Sequence, residues 1–334
     1  MATTSTPAPP VSVTDAAREA IEHTRRTLFP IRIEKWLILG FLAFLDQCGR
    51  TLNGGGPGGR GGGSGPSWPG RGGRGAAEDV AEALRTASAW LSEHAVEVTI
   101  GGIVGLVLLT ALIAVVLWLN ARGTFMYLDN VASGRAEISR PWREHAHSAQ
   151  SYFGWRFGLA LATFGVLLFA ASLVLVAGVA FVRGRLEDAA GGVTALALVP
   201  VLLLLLLALP LLALAGLALR DFVAPLQIAT GLSCGQAARV LEGLIVDHPG
   251  AFLVYLLLKL VLYAVTGVVV VVGGCLTCCL GFLPVVLQTV FQPLFFFERA
   301  WSVFLLRRMG HDVPARLGGG SGQTVGRGDT SQGS

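Results

Sequence analysis

"GAFLVYLLLKLVLYAVTGVVVVVGGCLTCCLGFLPVVLQTVFQPLFFF", residues 250–297, contains a single charged side chain, Lys259. At ~1.5 Å rise per residue, a helix of that length would reach ~72 Å, more than twice the ~30 Å hydrocarbon thickness of a bilayer. The block therefore predicts two membrane crossings, 250–273 and 279–297, joined by a tight turn. Gly273-Gly274 and Gly281 with Pro284 bracket that turn.

The rest of the chain agrees with a membrane protein. Its 334 residues are 53% hydrophobic and 14% charged, where a soluble domain carries roughly 25% charge. Residues 98–119, 155–182 and 192–219 are further apolar runs of spanning length. Residues 31–52, around "WLILGFLAFL" and closed by Asp46-Gln47, make either a poor span or a re-entrant segment. The expected fold is an all-α integral membrane bundle of about six spans, or five plus a re-entrant first segment. Trp36, Trp118 and Trp155 fall at span ends, where interfacial anchors belong. Most of the arginines and lysines collect in residues 1–35, 120–156, 220–249 and 298–334, which places those segments and both termini in the cytoplasm.

Between the spans the sequence is polar or low in complexity. Residues 1–30 hold a cytoplasmic segment with an amphipathic helix, capped by Thr14 or Asp15 and interrupted by Pro30. Residues 53–76, "NGGGPGGRGGGSGPSWPGRGGRGA", read as a disordered loop, and 311–334 as a disordered tail; 77–310 form the membrane domain. A chance G-x-G-x-x-G in the loop lacks the strand and helix that a nucleotide site needs. "SCGQAARVLEGLIVD" opens with an S-x-x-Q capping box, Ser233 and Gln236. Its Ala237, Val240, Leu241, Leu244 and Ile245 share one face. "SRPWREHAHSAQSYF" shows a similar stripe through Trp142, Ala146, Ala149 and Phe153. Both suit helices lying along the inner face.

Few residues invite chemistry. Cys275, Cys278 and Cys279 supply three sulfurs, but a structural zinc takes four ligands, and an apolar hairpin raises rather than lowers a thiol's pKa. Small packing residues at a turn are the expected role, with an outer-face disulfide or acylation as alternatives. No metal and no cofactor are expected. Lys259 stands between Tyr255 and Tyr263 at i±4 on one helix face. An ionisable residue within a span marks a functional candidate; it can equally snorkel or pair with Glu298 across the hairpin. Arg220-Asp221 and Glu298-Arg299 read as anchors at the inner membrane edge. Neither G-x-S-x-G nor H-E-x-x-H occurs. A net charge of +4, scattered along the chain, argues against nucleic acid.

"RGTFMYLDNVASGRAEISRPWREHAHSAQSYFGWRF", "RDFVAPLQIATGLSCGQAARVLEGLIVDHPGAFLVYLLLKLVL" and "CLTCCLGFLPVV" resemble a family of bacterial and archaeal multi-pass membrane proteins of unknown function. The likeness covers about residues 25–310. It is more distantly similar to the membrane domain found beside glycerophosphoryl diester phosphodiesterases, where hydrolysis resides in a separate soluble barrel. The resemblance implies architecture and carries no catalytic residue over; the expected location is a bacterial inner membrane. The expected function is a non-enzymatic scaffold, accessory or lipid-interacting protein, with the bilayer and other membrane proteins as partners. The alternative is a small-molecule or lipid transporter built on Lys259 and the last hairpin.

Overall fold

A computed structural model describes residues 11–48, 86, 89, 90, 92–182, 189–276 and 285–319, without the side chains of 177–182, 189–198, 200, 201, 204 and 274–276. The Gly-rich tract lies outside the described residues, as do residues 320–334, residues 277–284 with Cys278, Cys279 and the expected turn, and the Cys275 side chain. Val313–Gly319, in the tail expected to be disordered, is helical, with Val313 and Leu317 buried. Among the described residues there are helices and no strand.

The helices are α1 (Val13–Leu28), α2 (Ile33–Gln47), α3 (Ala95–Ser133), α4 (Ser139–Glu144), α5 (Ala146–Val182) and α6 (Ala189–Ala218). A π-helical turn, Leu219–Val223, carries α6 into α7 (Ala224–Thr230). There follow α8 (Cys234–Asp247), α9 (Pro249–Leu276), α10 (Val286–Val290), α11 (Gln292–Arg308) and α12 (Val313–Gly319). Among the described residues, four helical stretches are long and apolar enough to cross a bilayer: Ala95–Ser133, Ala146–Val176, Leu205–Thr230 and Pro249–Gly273. The chain is thus a polytopic helical membrane protein. The first hydrophobic segment and residues 279–297 are not among the four. α2 has only 15 residues, and the described part of 279–297 is broken at Phe291 into α10 and α11.

Two compact units divide these helices. Described parts of 1–49, 119–155 and 217–334 form one; those of 50–118 and 156–216 form the other. The second holds residues 95–118 of α3, 156–182 of α5 and 189–216 of α6. Its Leu106, Leu108, Leu112, Leu161 and Leu168 are more than 40% exposed, as residues facing lipid should be. Among the described residues, the first unit holds the closely packed core and α1, α2, α4 and α7 to α12.

Local signals explain how the first unit assembles. Ser12, rather than Thr14 or Asp15, caps α1, accepting the Asp15 N–H at 3.2 Å; its position just outside the first helical turn suits that role. α1 lies on α11. Glu19 pairs with Arg307, and Trp301 Nε1 donates to Val13 O at 3.2 Å. Lys35 Nζ donates to the carbonyls of Thr27 (2.8 Å) and Gly134 (3.0 Å), satisfying helix-end acceptors that have no intrahelical donor. Asn120 does the same for α2, donating to Leu45 O at 2.9 Å and Asp46 O at 2.7 Å. The capping box of α8 is present, with Ser233 N–H bonded to Gln236 Oε1 at 3.1 Å. Ala237 and Leu241 are buried, while Ile245 is exposed. The Trp142–Phe153 stripe spans a break at His145, between α4 and α5.

Two glycines permit the close approach of α2 to its neighbours. A Cβ on Gly123 would sit 2.4 Å from Leu45 Cβ and 2.7 Å from the Leu45 carbonyl carbon; one on Gly40 would meet Thr289 Oγ1 at 2.1 Å. Small residues at helix contacts are the usual means of close packing within membranes. Gly123→Val should destabilise the protein by ~1–3 kcal/mol through overpacking. Gly105→Ala, with nothing within 4 Å of the added carbon, should be neutral or mildly stabilising in the same detergent melts.

His23 reports on the α1 clasp. Its Nε2 lies 2.7 Å from Val131 O, and its ring stacks against Phe296 and meets Phe304 edge-on. Burial pushes its pKa below the ordinary 6.5, outweighing the hydrogen bond to Val131. The unfolded chain then takes up a proton at higher pH than the folded one does. Stability is full above about pH 6.5 and declines as the pH falls below it. His23→Gln should reduce that acid-side loss in melting temperature measured from pH 7.5 to 5.

Candidate functional site

A proline sets the local geometry of the site. Pro225 has no N–H and its ring crowds the carbonyl one turn back. The chain responds with the π-helical turn at Leu219–Val223, in which the Ala224 N–H bonds Leu219 O. Arg220 O would next take the N–H of residue 225, which proline lacks. Arg299 Nη1, from α11, supplies the missing donor. Single π turns of this kind recur where helices carry functional side chains. Here the turn buries Arg220 and Asp221 side by side.

Six charged side chains meet around it, all within the first unit. Arg220 donates through Nε (3.1 Å) and Nη2 (2.7 Å) to Asp46 Oδ2 of α2. Its Nη1 lies 2.7 Å from Glu298 Oε1 of α11. Lys259 of α9 places Nζ 2.9 Å from Asp221 Oδ2 and 3.1 Å from Glu298 Oε1. Arg299 Nη1 is 3.7 Å from Asp221 Oδ1, and its Nη2 is 3.9 Å from Asp46 Oδ1. Tyr255 donates its hydroxyl to Asp221 Oδ2 at 2.9 Å. The ammonium of Lys259 sits over the rings of Tyr255 and Tyr263, 5.6 and 5.4 Å from their centroids. None of the six charged side chains exceeds 5% exposure.

Three cations against three carboxylates leave the cluster formally neutral. Neutrality is what allows it to be buried, because an isolated ion is expensive to remove from water. Coulomb attraction between well-placed partners offsets much of the desolvation, and removal of one partner exposes the whole penalty of the other.

The structure brings together Lys259, Tyr255, Tyr263 and Glu298 as the sequence spacing suggested. Arg220-Asp221 and Glu298-Arg299 are not edge anchors. The helical path does not stop at Leu219 but runs from α6 through the π turn into α7, so Arg220 and Asp221 fall inside the Leu205–Thr230 stretch. Asp46, read from sequence only as the end of a hydrophobic run, is the third carboxylate. A usable signal was present: two adjacent opposite-charge pairs, R-D and E-R, in otherwise apolar surroundings, with Pro225 four residues beyond the first.

A second polar group lies at the α3–α4–α5 junction. Ligand atoms of Asp129, Glu144 and His145 lie within 4.8 Å of one another, a spacing a metal could use. A cation already occupies the position. Arg140 pairs with Asp129, with Glu137 at 2.8 Å and with Glu144 at 2.7 Å, while His145 Nε2 lies 2.8 Å from Asp129 Oδ2. Asn130 fixes the loop by exchanging two 2.7 Å hydrogen bonds with the Glu137 backbone. The buried thiol of Cys234 is pushed up to about 12 by burial, which keeps it protonated and unreactive at neutral pH.

Residues 11–309 match the model of a family of unknown function, DUF7544. The chain belongs to that family. The matched range takes in all six charged residues of the cluster, from Asp46 to Arg299, and the Asp129–Arg140 junction. Neither the curated proteins nor the solved structures yield a match.

Lys259→Met should cost ~3–5 kcal/mol, because Asp221 loses its closest cation while remaining buried. Adding Asp221→Leu should cost less than the two single losses combined. Unfolding in mixed micelles measures both; strict additivity would mean that the two charges are not coupled.

Proposed function

We propose that the chain is a non-enzymatic integral membrane protein acting as a scaffold or accessory component, in contact with lipid and with other membrane proteins. One observation carries the reading: every charge of the six-residue cluster is paired with an opposite charge of the same cluster. Each cation contacts a carboxylate from another helix, and the ties run between α2, the α6–α7 turn, α9 and α11. Such a cluster fixes helix positions and leaves no charged headgroup committed to a substrate. α8 offers a contact surface, with Ile245 and Val246 exposed on the helix that also carries Arg239 and Glu242.

In this reading the protein resides in a bacterial inner membrane, with α1, α4, α8 and α12 on the cytoplasmic side, following the basic residues in those segments. The distant sequence likeness to the membrane domain beside glycerophosphoryl diester phosphodiesterases fits a membrane platform for a separate soluble partner. Transport is the second reading. The helix break at Phe291 and the π turn favour it, because transporters place their sites at interrupted helices.

Purified protein in liposomes distinguishes the two. The scaffold reading expects proton and potassium fluxes no greater than those of empty vesicles. In cells, a photocrosslinker at Val246 should give a discrete adduct that is absent when it is placed at the buried Leu241. A flux abolished by Lys259→Met, in protein that still melts cooperatively, would replace the scaffold with a transporter.

A further inference from the structure

The charged cluster has an edge where hydrogen bonding is incomplete. Among the described residues, Gln47 Nε2, Asn120 Oδ1, Gln292 Oε1, and Nε and Nη2 of Arg299 are buried and have no hydrogen-bond partner, while the Asp46 carboxylate, bonded through Oδ2 to Arg220, has Thr124 beside it as a further donor. Asn120, Asp46 and Arg299 are linked directly. Asn120 is bonded to the Asp46 carbonyl at 2.7 Å, and Arg299 Nη2 lies 3.9 Å from Asp46 Oδ1. Gln292 and Arg299 stand seven residues apart, on one face of α11. On α3, Asn120, Thr124 and Tyr127 share a face by the same rule, and Tyr127 OH meets Gln292 Nε2 at 3.1 Å. The result is a polar seam through α2, α3 and α11.

Side-chain reassignment does not remove the deficit. Turning the Gln292 amide leaves its nitrogen unpaired in place of its oxygen, and turning Asn120 breaks two good bonds. Arg299 presents a stricter case. Its Nε and Nη2 form the edge of the guanidinium that normally grips two acceptors, and that edge is 0% exposed. Unpaired buried donors and acceptors are costly to fold around. The spacing identifies what fills it. At 3.9 Å, Arg299 Nη2 and Asp46 Oδ1 are too far apart to bond directly. They are well placed for one small ligand that accepts from the arginine and donates to the carboxylate. Water has that chemistry, and the seam supplies the two to four polar partners that a buried water requires.

We propose that this seam is an internal water-binding site that hydrates the charged cluster at Asp46 and Arg299. The inference is independent of both readings of function, since a scaffold can be hydrated and a transporter must be. Asp46 is then the carboxylate of the cluster in contact with exchangeable protons, while Asp221 faces Lys259 and Tyr255.

Hydroxyl-radical footprinting of the purified full-length protein tests the proposal, because radicals formed on bound water oxidise adjacent buried side chains. Tyr127 (0% exposed) lines the seam, and Tyr152 (1% exposed) packs its ring on Phe125. The expected result is oxidation of Tyr127 several-fold faster than that of Tyr152. Gln292→Leu should bring Tyr127 toward the Tyr152 rate while the protein still melts cooperatively. Equal, slow oxidation of both tyrosines in the unmodified protein would overturn the proposal without recourse to any variant.

Discussion

Arg220 binds Asp46 of α2 with one edge of its guanidinium and Glu298 of α11 with the other nitrogen. Those two bonds join segments that are 174 and 78 residues away along the chain. Hydrophobic burial does not select one helix arrangement strongly within a membrane, because lipid is as apolar as leucine. Directional, charge-assisted bonds do select one. Asp46 must face the π turn, Lys259 must lie between Asp221 and Glu298, and Arg299 must cap the carbonyl that Pro225 leaves open. The glycines at 40 and 123 then allow α2 to approach closely enough for these bonds to form.

Much of the architecture was legible in the sequence because membrane spans obey a simple rule. A run of about twenty apolar residues needs no tertiary information to be recognised, and α3, α5 and α9 were evident on that ground. The S-x-x-Q box of α8 was equally local. The cluster was harder to read. Tyr255, Lys259 and Tyr263 emerged because helical periodicity places them together, and Glu298 followed from the presumed hairpin. Asp46 gave no such signal, since its partner Arg220 lies 174 residues away, and Arg299 was visible only as half of the E-R pair. Charges near the end of an apolar run look like anchors, and only knowledge that the helix continues through a π turn changes their meaning. The ending of α6 was the error behind the reading of Arg220 and Asp221.

The ends of the first unit show a related economy. Lys35, Asn120 and Arg299 each donate to main-chain carbonyls that the local helix leaves open. Each also ties two helices together, so helix capping and tertiary contact are the same interaction. α1 is held to α11 in a comparable way, by Glu19–Arg307 and Trp301–Val13.

The π turn has a consequence for the order in which the chain is made. The six charges leave the ribosome in the sequence Asp46, Arg220, Asp221, Lys259, Glu298, Arg299. A nascent chain that has passed residue 221 carries two carboxylates and one arginine toward the bilayer. Lys259 brings the set into balance, and Glu298 with Arg299 adds one charge of each sign. The Arg220 carbonyl stays uncapped until α11 has been synthesised. The bundle therefore cannot close helix by helix from its N-terminus. It closes when its last long helix arrives, and a chain truncated before α11 leaves the Arg220 carbonyl without the donor that Arg299 supplies.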